Sequence, residues 1–277
     1  MSKGPSPGVG YGQPDQPASP ADPIALARQK LKKALPRRFY KEARAEAREG
    51  VFVLLLDGRP ARTPIGKPLA FPSLAAAEAI AAEWAAQAEW IDPASMPMTR
   101  IANSAIDGVA GNLAATVDEI AKYSRSDLVC YRAEGPRRLA EAQAAAWDLI
   151  LAFARKKIGA DFICTEDLMF VDQPHSAGAA VTDAVKRYGS AGAAAPFAVA
   201  SLHVMTTLTG SVLIALGVAL GDLSPQAAWR AAHVDEDFEI AAWGEDAEAR
   251  ARRENQWREF AAAARLFNAV SRDEDGA

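Results

Sequence analysis

The sequence predicts an α+β fold, with a small β-rich N-terminal domain of antiparallel hairpins plus a helix, followed by a larger all-α helical domain. Three observations carry this. Between Arg37 and Phe71, apolar runs alternate with Gly and Asp-Gly turn signals, which is hairpin patterning. From Ser73 to Val270, apolar residues recur at intervals of three and four, the spacing of one helical face. Before both, Met1 to Asp22 is rich in Pro, Gly and Ser, with almost no large aliphatics to offset the entropy of ordering. The expected organisation is a disordered tail and short lead-in helix over 1–35, a β-rich domain over 36–95, a helical domain over 96–270 and a polar tail over 271–277.

Pro23 to Leu35 reads as one short basic helix with Ile24, Leu26 and Leu31 apolar. Phe39 and Tyr40 open an extended run, and Gly50 separates it from a compact apolar strand, Val51 to Leu56. Asp57-Gly58 is a hairpin turn, after which the chain returns through Arg62 to Pro64, turns at Ile65 to Lys67 and runs through Leu69 to Phe71. Gly58 belongs to no phosphate-binding glycine pattern, so it reads as a turn residue.

Ser73 caps a helix with Leu74, Ala77, Ile80, Trp84, Ala88 and Ile91 on one face, ended by Pro93 and Pro97. Met98 to Gly108 is a shorter helix, and Leu113, Val117, Ile120 and Tyr123 mark the next. Asp127 to Arg132 reads as an extended link. Pro136 starts a long helix with Leu139, Ala142, Ala146, Ile150 and Phe153 inward, ending near Gly159. Ile163 to Val171 is irregular or a short strand, and a helix covers about Ala177 to Tyr188.

No charged residue occurs between Arg187 and Asp222. Such a run is a membrane-span candidate by length. Its glycines, threonines and Pro196 argue instead for two buried helices, or one kinked one, at the centre of a bundle. Ser224-Pro225 starts a helix expected to run to Trp243, with Gly244 as its stop. A last helix, Asp246 to Val270, puts Arg253, Trp257, Phe260, Ala264 and Phe267 on one side.

The 277 residues are 50% hydrophobic and 24% charged, with a net charge of −4, so no broad field attracts nucleic acid or acidic lipid. Cys130 and Cys164 form no metal-type spacing and read as core thiols. His175, His203 and His233 lie far apart, and His203 reads as a hydrogen-bonded core residue. The chain has no serine-hydrolase elbow and no metalloprotease motif. No catalytic, cofactor or metal residue is assigned.

One carboxylate stands out. Trp229, Glu236, Ile240 and Trp243 fall at steps of seven, four and three, so Glu236 shares a face with two tryptophans. A carboxylate there must find a partner or leave water at high cost. It reads either as half of an ion pair with an Arg of the bundle, or as a group kept for a partner protein with the tryptophans as contact surface. Asp235, Asp237 and Glu239 make the neighbourhood acidic.

Seven strings then occur in order: RRFYK (Arg37 to Lys41), LDGRPARTP (Leu56 to Pro64), IAAEWAAQ (Ile80 to Gln87), MPMTRIANSAID (Met96 to Asp107), DLVCYR (Asp127 to Arg132), QAAAWD (Gln143 to Asp148) and the acidic run ending in Trp-Gly (Asp235 to Gly244). In this order and spacing they resemble the mitochondrial ATP synthase F1 complex assembly factor 2 family, over roughly Arg37 to Phe267. The resemblance implies a chaperone, not an enzyme, that binds the unassembled alpha subunit of F1-ATPase, prevents its aggregation and releases it to beta without ATP hydrolysis. It implies no cofactor, no nucleic acid, no stable membrane insertion and a monomer when unbound. The family's important glutamate falls on Glu236. Leu149 stands where the family often has Pro, and Glu239 where it often has Gln. Asp235, Glu236, Asp237, Glu239, Trp229 and Trp243 are the expected partner-binding residues. The start of the chain lacks an Arg-rich amphipathic leader, which favours a bacterial cytoplasm, with the mitochondrial matrix for eukaryotic relatives. Two other readings are a small-molecule enzyme with a pocket between sheet and bundle, using Asp57, Arg59 or His203, and a membrane-associated protein using Pro196 to Leu220.

Overall fold

The computed structural model describes residues 35–166 and 169–271. The expected tail lies outside these residues, and so does the lead-in helix apart from Leu35.

Two tight turns fold the start of the chain into a sheet. Glu49 (φ 49°) with Gly50 (φ 81°) joins β1 (Ala43–Arg48) to β2 (Val51–Leu56). Asp57 (φ 47°) with Gly58 (φ 77°) joins β2 to β3 (Arg59–Pro60). Consecutive left-handed residues give the turn whose twist suits a hairpin. β1 pairs antiparallel along the whole of β2, from Ala43 opposite Leu56 to Arg48 opposite Val51. β3 takes one end of β2's other edge, and β4 (Ala70–Phe71) takes the other end. β2 is therefore central, which is why Val53 to Leu56 are all buried.

Helix α1 (Leu74–Ala85) packs on β1 and β2. The Ser73 hydroxyl accepts from the Ala76 N–H at 3.1 Å and donates to the Ala269 carbonyl at 2.7 Å, so this cap also ties the sheet layer to the last helix. The helix ends six residues before the expected Ile91, and Leu74 is exposed. Residues from 87 onward leave the helix to meet 36–38: the Arg38 N–H donates to the Glu89 carbonyl and the Ile91 N–H to the Pro36 carbonyl, both at 2.9 Å. The Arg38 guanidinium takes the carbonyls of Ala85 and Gln87. The last carbonyl of α1, that of Ala85, is thus satisfied by a residue far away in sequence.

Glu83 on α1 starts the next helix. Its carboxylate accepts from the N–H groups of Met98 and Thr99 at 2.8 Å each and from the Thr99 hydroxyl at 2.7 Å, capping α2 (Pro97–Asp107). α3 (Leu113–Lys122) follows. Asp127 to Arg132 is not extended: Leu128–Cys130 is a 3-10 turn, because the buried Asp127 carboxylate caps it at Val129.

α4 (Arg137–Phe153) turns Gln143, Trp147 and Ile150 inward rather than the expected Leu139–Ala142–Ala146 line. Both polar side chains find partners, so they can be buried. A π-turn, Ala154–Ile158, extends α4 to Gly159 (φ 78°). The described residues between Ile163 and Val171 are irregular, except that Thr165 bridges Tyr131. Cys130 is buried but Cys164 is exposed, contrary to the expectation of two core thiols.

α5 (His175–Gly189) leads to the charge-free run, which forms two helices, α6 (Ala195–Thr209) and α7 (Val212–Ala219). Gly210 (φ 65°) breaks them and Ser211 caps the second. Gly192–Thr209 is long and apolar enough to cross a membrane, but most of it is buried among α2, α3, α5, α7 and the last helix. His203 is only half-buried at the edge of this core.

The expected single helix from Pro225 to Trp243 is two, α8 (Pro225–Ala232) and α9 (Val234–Trp243). His233 interrupts it. Its Nδ1 donates to the Trp229 carbonyl at 2.8 Å, taking the acceptor that its own N–H would need to continue the helix. The N–H turns to Arg230 instead, at φ −119°, ψ 25°. α10 (Ala247–Ser271) closes the fold, with Phe260, Ala264 and Phe267 buried. One apolar cluster runs from Tyr40 to Val270.

Candidate partner-binding face

α9 reads VDEDFEIAAW, and its first turn carries Asp235, Glu236 and Asp237, favoured there by the helix dipole. None of its residues is buried. Polar anchors fix it instead. Gln143 on α4 accepts from the Ala133 N–H at 2.7 Å and donates to Asp235 Oδ1 at 2.6 Å. One turn on, the Trp147 indole donates to the Ala231 carbonyl at 2.6 Å, at the end of α8. Arg253 on α10 contacts Asp237, and its Nε lies 3.7 Å from Glu236 Oε2.

Glu236 is therefore loosely held. Arg253 favours Asp237, and His233 Nε2 is 3.9 Å from Glu236 Oε2. With Nδ1 donating to Trp229, the neutral imidazole offers Glu236 no proton, and burial lowers the His233 pKa. Of the two readings of Glu236, the ion pair with a bundle Arg is present, at long range and half-exposed.

The break at His233 removes the common face expected for Trp229, Glu236, Ile240 and Trp243. Trp229 is nearly buried, its ring centroid 3.9 Å from His233, 5.7 Å from Trp257 and 5.5 Å from Phe260. Trp243 is 88% exposed. Asp235, Asp237 and Glu239 are exposed along α9. Beside α9, a groove of about 530 Å³ runs between α4, α8 and α9, with Val234 and Phe238 on one wall and Leu149 on the other. Sequence reasoning missed Gln143, Trp147 and Arg253. The pair Gln143 and Trp147, at i and i+4 on α4, was the available signal.

The residues suggested for an enzyme are not brought together. Asp57 accepts from the N–H groups of Lys41 and Glu42, and these bonds hold its carboxyl below its usual pKa. His203 borders a groove lined by Arg100, Glu119 and Glu259, not by Asp57 or Arg59. Among the described residues, no three His, Cys, Asp or Glu side chains cluster as metal ligands.

The seven strings are the joints of this fold. RRFYK supplies Arg38 and Tyr40, whose hydroxyl donates to the Trp84 carbonyl at 2.7 Å. LDG supplies the Asp57 cap, and IAAEWAAQ grips MPMTR through Glu83. In DLVCYR, Asp127 also accepts from the Leu213 N–H at 3.1 Å, and Arg132 reaches Asp148 at 2.9 Å. QAAAWD holds the acidic run.

Comparison with known proteins agrees with this. The ATP12 chaperone protein family matches residues 37–155. The crystal structure of Atp12 from Paracoccus denitrificans matches with a TM-score of 0.77 and 34% identity, covering 84% of this chain and 98% of that one. The chain belongs to the ATP12 chaperone family. An Asp-to-Lys mutant of the same Paracoccus protein matches with a TM-score of 0.76 at 34% identity, over 84% and 97%. A candidate chaperone of Agrobacterium tumefaciens reaches a TM-score of 0.81 at 43% identity, over 91% and 93%. Membership bears out the family resemblance of the seven strings. It carries a chaperone role in ATP synthase assembly, in a family of chaperones rather than enzymes.

Proposed function

We propose that this ATP12-family chain binds the unassembled alpha subunit of F1-ATPase, shields the surface that later meets beta, and hands alpha over by competition with beta, without ATP hydrolysis. The observation that carries this is α9: a helix with no buried residue, four carboxylates and an exposed terminal tryptophan. A monomeric protein that fixes such a helix by polar anchors presents it to something. Asp235, Glu236, Asp237, Glu239 and Trp243 are the proposed contacts, with Trp229 holding α8 against α10 from below. The fitting partner surface is apolar with basic residues. The protein acts as a monomer before binding, in the bacterial cytoplasm.

Light scattering tests this. Purified alpha subunit diluted from denaturant aggregates alone. An equimolar amount of this protein is expected to suppress the signal equally with and without ATP. Unchanged aggregation, or suppression only with ATP, refutes the proposal.

A further inference from the structure

We infer that Cys130 and Cys164 are a redox modification site: a hydroperoxide converts them to a reversible intramolecular disulfide that ties the segment between α4 and α5 to the core. This goes beyond the chaperone reading and does not depend on which subunit is the client.

The two cysteines are the only ones in the chain, and the fold brings them together. The Thr165 N–H donates to the Cys130 carbonyl at 2.9 Å, and the Arg132 N–H donates to the Thr165 carbonyl at 2.8 Å. These bonds set Tyr131 beside Thr165 in a parallel bridge, so Cys130 stands opposite Cys164 one step back. Partners in parallel register point to the same side, and backbones so paired run about 4.8 Å apart. A disulfide spans Cα separations of about 4.4–6.8 Å, so this placement needs no backbone shift. The side chains already meet: the Cys130 S–H donates to the Cys164 sulfur. The Cys130 side is fixed in the core, where the Leu128 N–H donates to the Gly210 carbonyl at 3.2 Å and Asp127 accepts from Leu213.

The two thiols differ as the chemistry requires. Cys164 is exposed and meets the oxidant, while Cys130 is buried and does not. Burial first, and then the Asp127 charge, push the Cys130 thiol pKa up, so it stays protonated until Cys164 has reacted. The Cys164 thiolate attacks hydrogen peroxide. An S–O bond forms, the O–O bond breaks, and the departing hydroxide takes up the thiol proton as water. The Cys130 sulfur then attacks the Cys164 sulfur and gives up its proton. The S–S bond forms, the S–O bond breaks, and the second hydroxide leaves as water. Two thiols and one peroxide become one disulfide and two waters, with two electrons passing from sulfur to oxygen. A dithiol reverses the bond by exchange. In a reducing compartment such a bond is transient and reports the redox state.

Hydrogen peroxide added to the reduced, folded full chain tests this, followed by alkylation, non-reducing digestion and mass spectrometry. The expected product is a peptide pair joined through Cys130 and Cys164 within a monomer, with two thiols lost per peroxide and both recovered by dithiothreitol. Closing this loop is expected to raise the melting temperature by about 5–10 °C. Dimedone is expected to trap Cys164 as a sulfenic acid in the Cys130→Ala variant. Cys164→Ser, at an exposed position, is expected to keep the melting temperature of the reduced parent and to show no rise with peroxide. Oxidation of parent Cys164 to a sulfinic acid or to an intermolecular disulfide, with Cys130 still free to be alkylated, overturns the inference. So does a bond between Cys130 and Cys164 that forms only in urea.

Discussion

Asp127 makes the stability of this protein depend on pH in a calculable way. It is wholly buried, and desolvation raises its pKa from 3.8 to about 6, against the lowering effect of bonds from Ser211, Leu213, Val129 and Val212. The folded chain thus binds this proton more tightly than the unfolded chain does. Ionisation opposes folding: the penalty is small at low pH, grows between about pH 4 and 6, and is constant above. At about 1.4 kcal/mol per pH unit, the plateau is about 3 kcal/mol, of which about 1.6 kcal/mol applies at about pH 5. Asp127→Asn cannot ionise. It keeps one carbonyl oxygen for the N–H groups of Val129 or Leu213 but turns an amide donor toward the others, a cost that does not vary with pH. The variant's stability relative to the parent is therefore expected to improve by about 1.4 kcal/mol between about pH 5 and 7.5. Urea unfolding followed by far-UV circular dichroism at both pH values measures the difference. A difference that is the same at both, or moves the other way, refutes the reasoning.

Glu83→Ala removes the acceptor for two backbone N–H groups and a hydroxyl at the start of α2, and is expected to cost about 1–3 kcal/mol, read as a lower urea midpoint with an unchanged slope. Trp147→Phe leaves the Ala231 carbonyl without its 2.6 Å donor, at a similar cost. Hydrogen exchange is expected to speed up first at α8 and α9 in that variant. Arg253→Ala frees both Glu236 and Asp237, and is expected to change stability by less than about 1 kcal/mol at this half-exposed site. Its affinity for a basic client should rise, because the carboxylates lose their internal cation.

What could be read from the sequence follows from how local each cause is. The hairpins were legible because Gly50 and Asp57-Gly58 set their own turns. The two buried helices of the charge-free run were legible because Gly210 and Ser211 mark the break. The end of α1 was not, since the segment 36–38, through the Arg38 guanidinium and its backbone bonds to Glu89 and Ile91, terminates it from far away in sequence. The inward face of α4 was misplaced because Gln143 and Trp147 are polar-tipped, and their partners Ala133, Asp235 and Ala231 are visible only in three dimensions. The α8–α9 break hid in a histidine side chain that competes with its own backbone. That break is also why Glu236 does not share the expected face with Trp229, while Arg253, the kind of partner that one of the two readings expected, stands beside it with His233.

We propose that this ATP12-family protein grips the alpha subunit through α9. Co-elution of the parent protein and Glu236→Lys with purified alpha and with purified beta tests it most directly. The account predicts that the parent co-elutes with alpha and not beta, and that Glu236→Lys loses alpha while keeping its helical circular-dichroism signal. Binding to beta but not alpha, or full alpha binding by the folded Glu236→Lys variant, would contradict it.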